Sequence, residues 1–173
     1  DISQFEKTRS NPEVNAHYDA TLERATKALA ECTKPTIAMI RGWCIGGGMA
    51  IAVSCDMRIA TEGSKFGIPA ARLGLGYGAP GVRTLMNLVG PSYTKEIFFT
   101  ARHFTADEAQ VMGLVNRVVG DADLDAYVRQ YCATIGDNAP MTMATLKRTV
   151  AEVLRGDAGD LALIDRMIQD CFD

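Results

Sequence analysis

The sequence predicts an α/β fold, on three observations. An apolar run from Thr36 to Ile40 leads into the triple glycine Gly46-Gly47-Gly48 and then into helix-forming residues, an order that reads as strand, tight turn and helix. Two further β-type runs, 56–61 and 115–119, supply partner strands. After that first segment the chain is dominated by stretches with helical spacing of apolar residues. The glycine turn is the feature with chemical content. Glycine lacks a Cβ and tolerates positive φ, so a glycine cluster lets backbone N–H groups approach a ligand just where a helix leaves its first donors without acceptors. Such a turn suits negative charge developing on an oxygen, and close packing of helix on strand is the alternative use of the same residues.

In chain order, Asn11-Pro12 supplies an N-cap residue before a proline at the first helical position, and the helix should run to about Cys32. Val14, Tyr18, Leu22, Ala25 and Leu29 recur every three or four residues and give it one buried stripe. Lys34-Pro35 ends it. Strands are expected at 36–41, 56–61 and 115–119, with a helix from Gly47 to Ser54 between the first two. Gly81 to Val89 and Ser92 to Ala101 form helices around a Gly90-Pro91 break. Thr105-Ala106-Asp107-Glu108 has capping-box spacing ahead of a short helix closed by Gly113. Helices follow at 123–135, 141–155 and 158–172, the last with Leu161, Ile164, Ile168 and Cys171 on one face. That stripe fits either an intersubunit contact or the chain's own core. Three strands make a thin sheet with exposed edges, which points to partner strands outside this sequence.

Composition fits one globular domain: 173 residues, 47% hydrophobic, 23% charged and a formal charge of −3, with no basic footprint for nucleic acid. No apolar run reaches the roughly 18 residues that span a bilayer, so a cytoplasmic or organellar-matrix protein is expected, with no membrane partner. Five widely spaced cysteines, without a Cys-x-x-Cys pair, read as buried free thiols. His17 and His103, the only histidines, are far apart and read as surface residues, so no metal site is expected. A serine hydrolase is disfavoured because no Gly-x-Ser-x-Gly elbow is present.

Taken together, Lys34-Pro35-Thr36-Ile37-Ala38-Met39-Ile40-Arg41-Gly42, the triple glycine and Ser54-Cys55-Asp56-Met57-Arg58-Ile59-Ala60 resemble the enoyl-CoA hydratase/isomerase (crotonase) family. Lys65-Phe66-Gly67-Ile68-Pro69, Gly74-Leu75-Gly76, Leu85 to Val89 before Gly90, Phe99-Thr100-Ala101-Arg102 and Ala109 to Asn116 follow in that family's order. Asp1-Ile2 is similar to the end of its Ala-Gly-Ala-Asp-Ile motif. The resemblance implies a ββα spiral core over 1–120, lacking its N-terminal strands, and a helical oligomerisation region over 121–173 within the same domain. It also implies that the sequence is part of a longer chain, continuing on both sides, and that the protein assembles as a homotrimer or a dimer of trimers.

The activity so implied is activation of an acyl-CoA thioester, with coenzyme A carried by the substrate and no separate cofactor. The carbonyl oxygen gains charge as an enolate forms, and two backbone N–H groups hold it: one from Gly47, the middle glycine of the Gly46-Gly47-Gly48 turn, in which Gly46 is a further expected substrate contact, the other from the alanine preceding Asp1. Hydratases of the family use two glutamates, and the matching positions here are Ala50 and Ala70. A methyl group moves no proton, so hydration by that pair is excluded; both positions remain expected substrate contacts. Other members place an aspartate in the loop that here reads Gly74-Leu75-Gly76-Tyr77-Gly78-Ala79-Pro80-Gly81, where Tyr77 is the candidate catalytic group. Arg72 reads as a solvated loop cation and Asp56 as a structural residue at the start of its strand. Isomerisation, decarboxylation and thioester or carbon–carbon hydrolysis stay open. The rival is a non-catalytic acyl-CoA-binding or structural homologue. A Clp-like peptidase would need a nucleophilic serine where Met49 and Ala50 stand.

Overall fold

The computed structural model describes residues 12–172. Helix α1 runs over Pro12–Glu31 and ends before Pro35. Strand β1 (Ile37–Ile40) is followed by β2 (Trp43–Ile45) and helix α2 (Gly47–Ser54). Then come β3 (Met57–Thr61), β4 (Lys65–Gly67), a 3-10 turn (Pro69–Leu73) and helix α3 (Ala79–Thr100). Strand β5 (Phe104–Thr105), α4 (Ala106–Val111) and β6 (Arg117–Val119) precede three C-terminal helices. Those are α5 (Leu124–Gly136), α6 (Pro140–Val153) and α7 (Leu161–Gln169).

The unit β1-β2-α2 is repeated as β3-β4 followed by the 3-10 turn and α3. Each strand of the first unit pairs in parallel with its counterpart in the second: Ile37 lies opposite Met57 and Trp43 opposite Lys65. This stacking of ββα turns is the crotonase-like spiral, and it yields two small sheets rather than one. Their orders are β1-β3-β6, all parallel, and β2-β4-β5, whose last pair is antiparallel.

Two expectations are corrected here. Six strands exist among the described residues, not three. The added ones, β2, β4 and β5, are two or three residues long, too short to show alternation. The segment from Gly42 to Gly46 is also not one tight turn. The chain turns a corner at Gly42 (φ 76), runs through β2 and turns again at Gly46 (φ 56), both values being cheap only for glycine.

The core gathers Ile40, Cys44, Met49, Ala52, Phe66, Leu85, Ile97, Phe104 and Leu114 between the two sheets, α2 and α3. Burial pushes the Cys44 thiol up to about 11. The break in α3 is confirmed at Gly90 (φ 74, ψ 171), just before Pro91. Thr105 and Glu108 form the expected capping box, Glu108 N–H donating to Thr105 Oγ1 at 3.2 Å and Thr105 N–H to Glu108 Oε2 at 2.8 Å. The left-handed Gly113 (φ 82) lies just beyond α4.

The apolar stripe of α1 is less buried than its spacing suggests. Leu22, Ala25 and Leu29 are half-buried and Tyr18 is 43% exposed; the Val14 side chain lies outside the described residues. Of the α7 stripe only Ile164 is buried, while Leu161 and Ile168 are exposed, and a separate 3-10 turn (Gly156–Ala158) replaces the expected start of this helix. The cysteines are likewise not uniformly buried: Cys44 is, Cys132 is exposed and the other three are intermediate, all of them free. Both histidines are exposed, and Trp43 packs edge-on against the His103 ring at 5.0 Å. No described helix is long and apolar enough to cross a membrane.

Candidate active site

The site is built around the first turn of α2. Ala50 N–H donates to Gly46 C=O at 2.9 Å, so the N–H groups of Gly47, Gly48 and Met49 precede the first intrahelical bond and find no acceptor within the helix. Gly46 N–H donates to Gly67 C=O at 3.1 Å, and Lys65 N–H to Gly42 C=O at 2.9 Å. These bonds pin both glycine corners to β4. Gly47 itself is constrained by space: a Cβ there would stand 2.8 Å from the Tyr18 hydroxyl, which reaches over from α1.

The opposite end of α2 is closed by Arg58, which is only 2% exposed. Its guanidinium donates to Leu114 C=O at 2.7 Å, Cys55 C=O at 2.8 Å and Ala52 C=O at 3.3 Å. Its backbone N–H donates to Asn116 Oδ1 at 2.8 Å, and Asn116 N–H returns a bond to Arg58 C=O at 2.9 Å. A cation satisfying the last carbonyls of a helix is placed where the helix dipole favours it. Desolvation lowers the arginine's pKa, and the thiols and carboxylate around it partly offset that. Asp56, just before β3, accepts from Thr36 N–H at 2.6 Å and Thr36 Oγ1 at 2.9 Å, while Lys147 Nζ donates to it at 2.8 Å. It joins the starts of β1 and β3 to α6, a structural role.

Beside α2 lies a cavity of about 120 Å³ walled by Met49, Ala50, Val53, Ile68, Pro80, Gly81 and Leu85, with the hydroxyl-bearing residues Thr26, Ser54, Thr84 and Tyr77 completing the lining. Each of the three aliphatic hydroxyls donates within its own helix: Ser54 to Ala50 C=O at 2.8 Å, Thr26 to Leu22 C=O at 3.0 Å and Thr84 to Pro80 C=O at 3.1 Å. Tyr77 is then the one titratable side chain among the described residues lining the cavity. Its ring packs edge-on against Phe98 at 4.9 Å. Burial, with a smaller contribution from Tyr18, raises its pKa above the ordinary phenol value.

Of the residues expected from the sequence, the structure thus brings Ala50 and Tyr77 to one cavity next to Gly46 and Gly47. Ala70 sits in the following 3-10 turn, buried, its carbonyl accepting from Leu75 N–H at 3.0 Å, and is not among the cavity-lining residues. Arg72 is exposed on the adjoining loop. Sequence reasoning missed Tyr18 at this site. Its helical spacing assigned it to a packing stripe, and nothing local signals that its hydroxyl meets a glycine more than twenty residues away.

The enoyl-CoA hydratase/isomerase family description matches residues 2–170. The chain belongs to this family. It is 37% identical over 140 residues to the short-chain-enoyl-CoA hydratase of Clostridium acetobutylicum, a match that covers 80% of this chain and 54% of that protein. A crystal structure of an enoyl-CoA hydratase/isomerase family protein from Hyphomonas neptunium superposes with a TM-score of 0.92 at 33% identity, covering 99% of this chain and 66% of that one. A methylmalonyl-CoA decarboxylase in complex with 2-nitronate-propionyl-CoA superposes with a TM-score of 0.78 at 28% identity, covering 89% of this chain and 59% of that one. The chain spans about half the length of the curated relatives it matches. Within the family, then, near relatives carry names from more than one reaction class.

Proposed function

We propose that the protein acts on an acyl-CoA, holding the thioester carbonyl oxygen at the Gly47 N–H while an enolate forms on the adjacent carbon, and that the enolate arises by decarboxylation. The observation that carries the choice of reaction is the cavity wall. Among the described residues it has no carboxylate and no imidazole, its aliphatic hydroxyls are committed to backbone carbonyls, and Tyr77 alone offers a titratable group.

A phenol whose pKa is raised keeps its proton across the neutral range. Such a group holds its proton rather than abstracting one, and only a base stronger than a phenolate, such as a thioester enolate, takes that proton from it. Hydration needs a base for water, and double-bond migration needs a base for carbon. Loss of carbon dioxide from a 2-carboxyacyl thioester needs neither. The carbon–carbon bond breaks, its electron pair becomes the enolate, and the oxyanion turn stabilises the charge. Tyr77 O–H then protonates the α-carbon, and solvent restores the phenol. A match to a decarboxylase at 28% identity is consistent with this reading.

The test is mass spectrometry of full-length protein with methylmalonyl-CoA, crotonyl-CoA and 3-oxoacyl-CoA esters in deuterated, heavy-oxygen water. The expected outcome is loss of carbon dioxide with one deuterium gained at the α-carbon. Oxygen gained at an intact thioester overturns the reading in favour of hydration. Tight binding of every ester without chemistry overturns it in favour of the non-catalytic homologue, which Ala50 and Ala70 also fit.

We also infer that the C-terminal helices, within residues 121–173, meet neighbouring copies. Leu146, Val150, Val153, Leu154, Leu161 and Ile168 are exposed along α6 and α7. Light scattering coupled to size exclusion is expected to return a trimer or a dimer of trimers, and a monomer overturns the inference.

A further inference from the structure

Helices α6 and α7 form a pair whose buried polar groups are satisfied inside the pair. Glu152, only 1% exposed, accepts from Asp160 N–H at 2.8 Å and pairs with Arg148 at 2.6 Å and with Arg155 at 3.4 Å. Asp160 in turn caps α7 by accepting from Leu163 N–H at 2.9 Å. Thr145 Oγ1 donates to Met167 C=O at 3.4 Å, tying the middle of α6 to the last turn of α7. Helix α6 packs chiefly on α7, whereas α5 packs on β3.

The attachment of this pair to the strands is narrow. Among the described residues, its hydrogen bonds to β1, β3 and the segments leading into them all start at Lys147, whose Nζ donates to Asp56 Oδ2 at 2.8 Å and to Lys34 C=O at 3.1 Å. Asp56 is fixed in turn by the Thr36 N–H and Oγ1, so the lysine meets a carboxylate already set in place. The lysine and aspartate side chains are 15% and 30% exposed, which leaves their attraction less screened than that of a surface pair. Alongside, a groove of about 630 Å³ lies between Pro35 and Ile37 on the strand side and Ile135, Met141, Met143 and Ala144 on the helix side. Apolar surface lining that groove is not closed into packing between the helices and the strands.

We propose that α6 and α7 are an arm that opens as one unit on the connection Asp137-Asn138-Ala139, and that Lys147 with Asp56 is the latch that holds it shut over the groove. Opening there breaks few interactions, while the bonds inside the pair keep the two helices together. The inference is independent of the acyl-CoA reading. Its test is amide hydrogen exchange of full-length wild type, Lys147→Met and Lys147→Arg, read by mass spectrometry. Lys147→Met keeps an apolar stem and removes the charge. Exchange across α6 and α7 is expected to speed up together by about 10–100-fold, the worth of a charge-assisted hydrogen bond read as an opening equilibrium. Amides of α2 and β3 should keep their wild-type rates. Lys147→Arg retains the cation and should restore most of the protection. Raising salt from about 0.01 M to 1 M should speed exchange of the arm in wild type and not in Lys147→Met.

Unchanged exchange of α6 and α7 in Lys147→Met overturns the proposal. So does a faster exchange that spreads equally to α2 and β3, because that is a loss of global stability and not the release of an arm. Different factors for α6 and α7 overturn it as well, since the two helices then do not move as one unit. Should Lys147→Met fail to fold, wild type at low and high salt decides: an arm insensitive to salt overturns the latch, and a joint rise over α6 and α7 alone supports it.

Discussion

The two ends of helix α2 are built in opposite ways. At the C-terminal end the acceptors are filled: Arg58 supplies protons to Ala52 and Cys55 carbonyls, Ser54 Oγ to Ala50, and the whole arrangement is buried against Leu114 and Asn116. At the N-terminal end three N–H groups have no acceptor within the helix, the chain is turned by left-handed Gly46, and half-exposed Tyr18 stands alongside. Satisfying a helix end stabilises the fold, whereas leaving donors pre-aimed and unpaired keeps them available to a ligand's charge. A single short helix thus has one end sealed by side-chain donors and the other with donors that the helix itself leaves without acceptors.

Substitutions at the two ends should separate these roles. The largest effect is expected from Gly47→Ala, whose Cβ forces the Tyr18 hydroxyl away and crowds the oxygen site. Turnover should fall about 10²–10³-fold. The same change should leave the melting temperature unchanged or slightly raised, since alanine is favoured over glycine inside helices by roughly 0.5–1 kcal/mol; a large fall in melting temperature would break the comparison. Arg58→Met should do the reverse. It strands buried carbonyls of Ala52 and Leu114, and equilibrium denaturation should show a loss of about 2–4 kcal/mol.

Smaller effects are expected away from α2. Thr105→Ala removes the side-chain acceptor of the α4 capping box and should cost about 1 kcal/mol in urea unfolding, with turnover unaltered. Glu108 sharpens the same region through pH. The Arg102 guanidinium, with the Thr105 N–H, holds this carboxyl down to about 2, against an ordinary 4.5. A carboxyl depressed in the folded state contributes stability that is present above its unfolded value and is lost as pH falls through the folded one. Unfolding followed between pH 5 and pH 2 should therefore show a decline that Glu108→Gln makes shallower. Equal slopes for the two proteins would remove Glu108 from the acid response.

Much of this was legible beforehand because its causes are local. The helix from Gly47 to Ser54 was placed by glycine and apolar content, the α3 break by Gly90-Pro91, and the α4 start by Thr105 and Glu108, and each was found as expected. The short strands β2, β4 and β5 were not legible. Trp43-Cys44-Ile45 becomes a strand because β4 lies beside it, not because three residues favour one. At the site, the order of motifs pointed to Gly47, Ala50 and Tyr77. It did not point to Tyr18, whose spacing along α1 is that of an ordinary packing residue.

The sequence by itself determined the family, the glycines that turn the chain and the alanines at positions 50 and 70, since these depend on which residues stand at which positions. The tertiary structure decided how the ββα turns stack, which end of α2 is sealed, and that the Tyr18 hydroxyl from α1 meets Gly47 while Tyr77, from the loop after the 3-10 turn, lines the cavity beside α2. Those facts depend on distances between segments remote in the chain, which neither local backbone preference nor hydrophobic periodicity encodes.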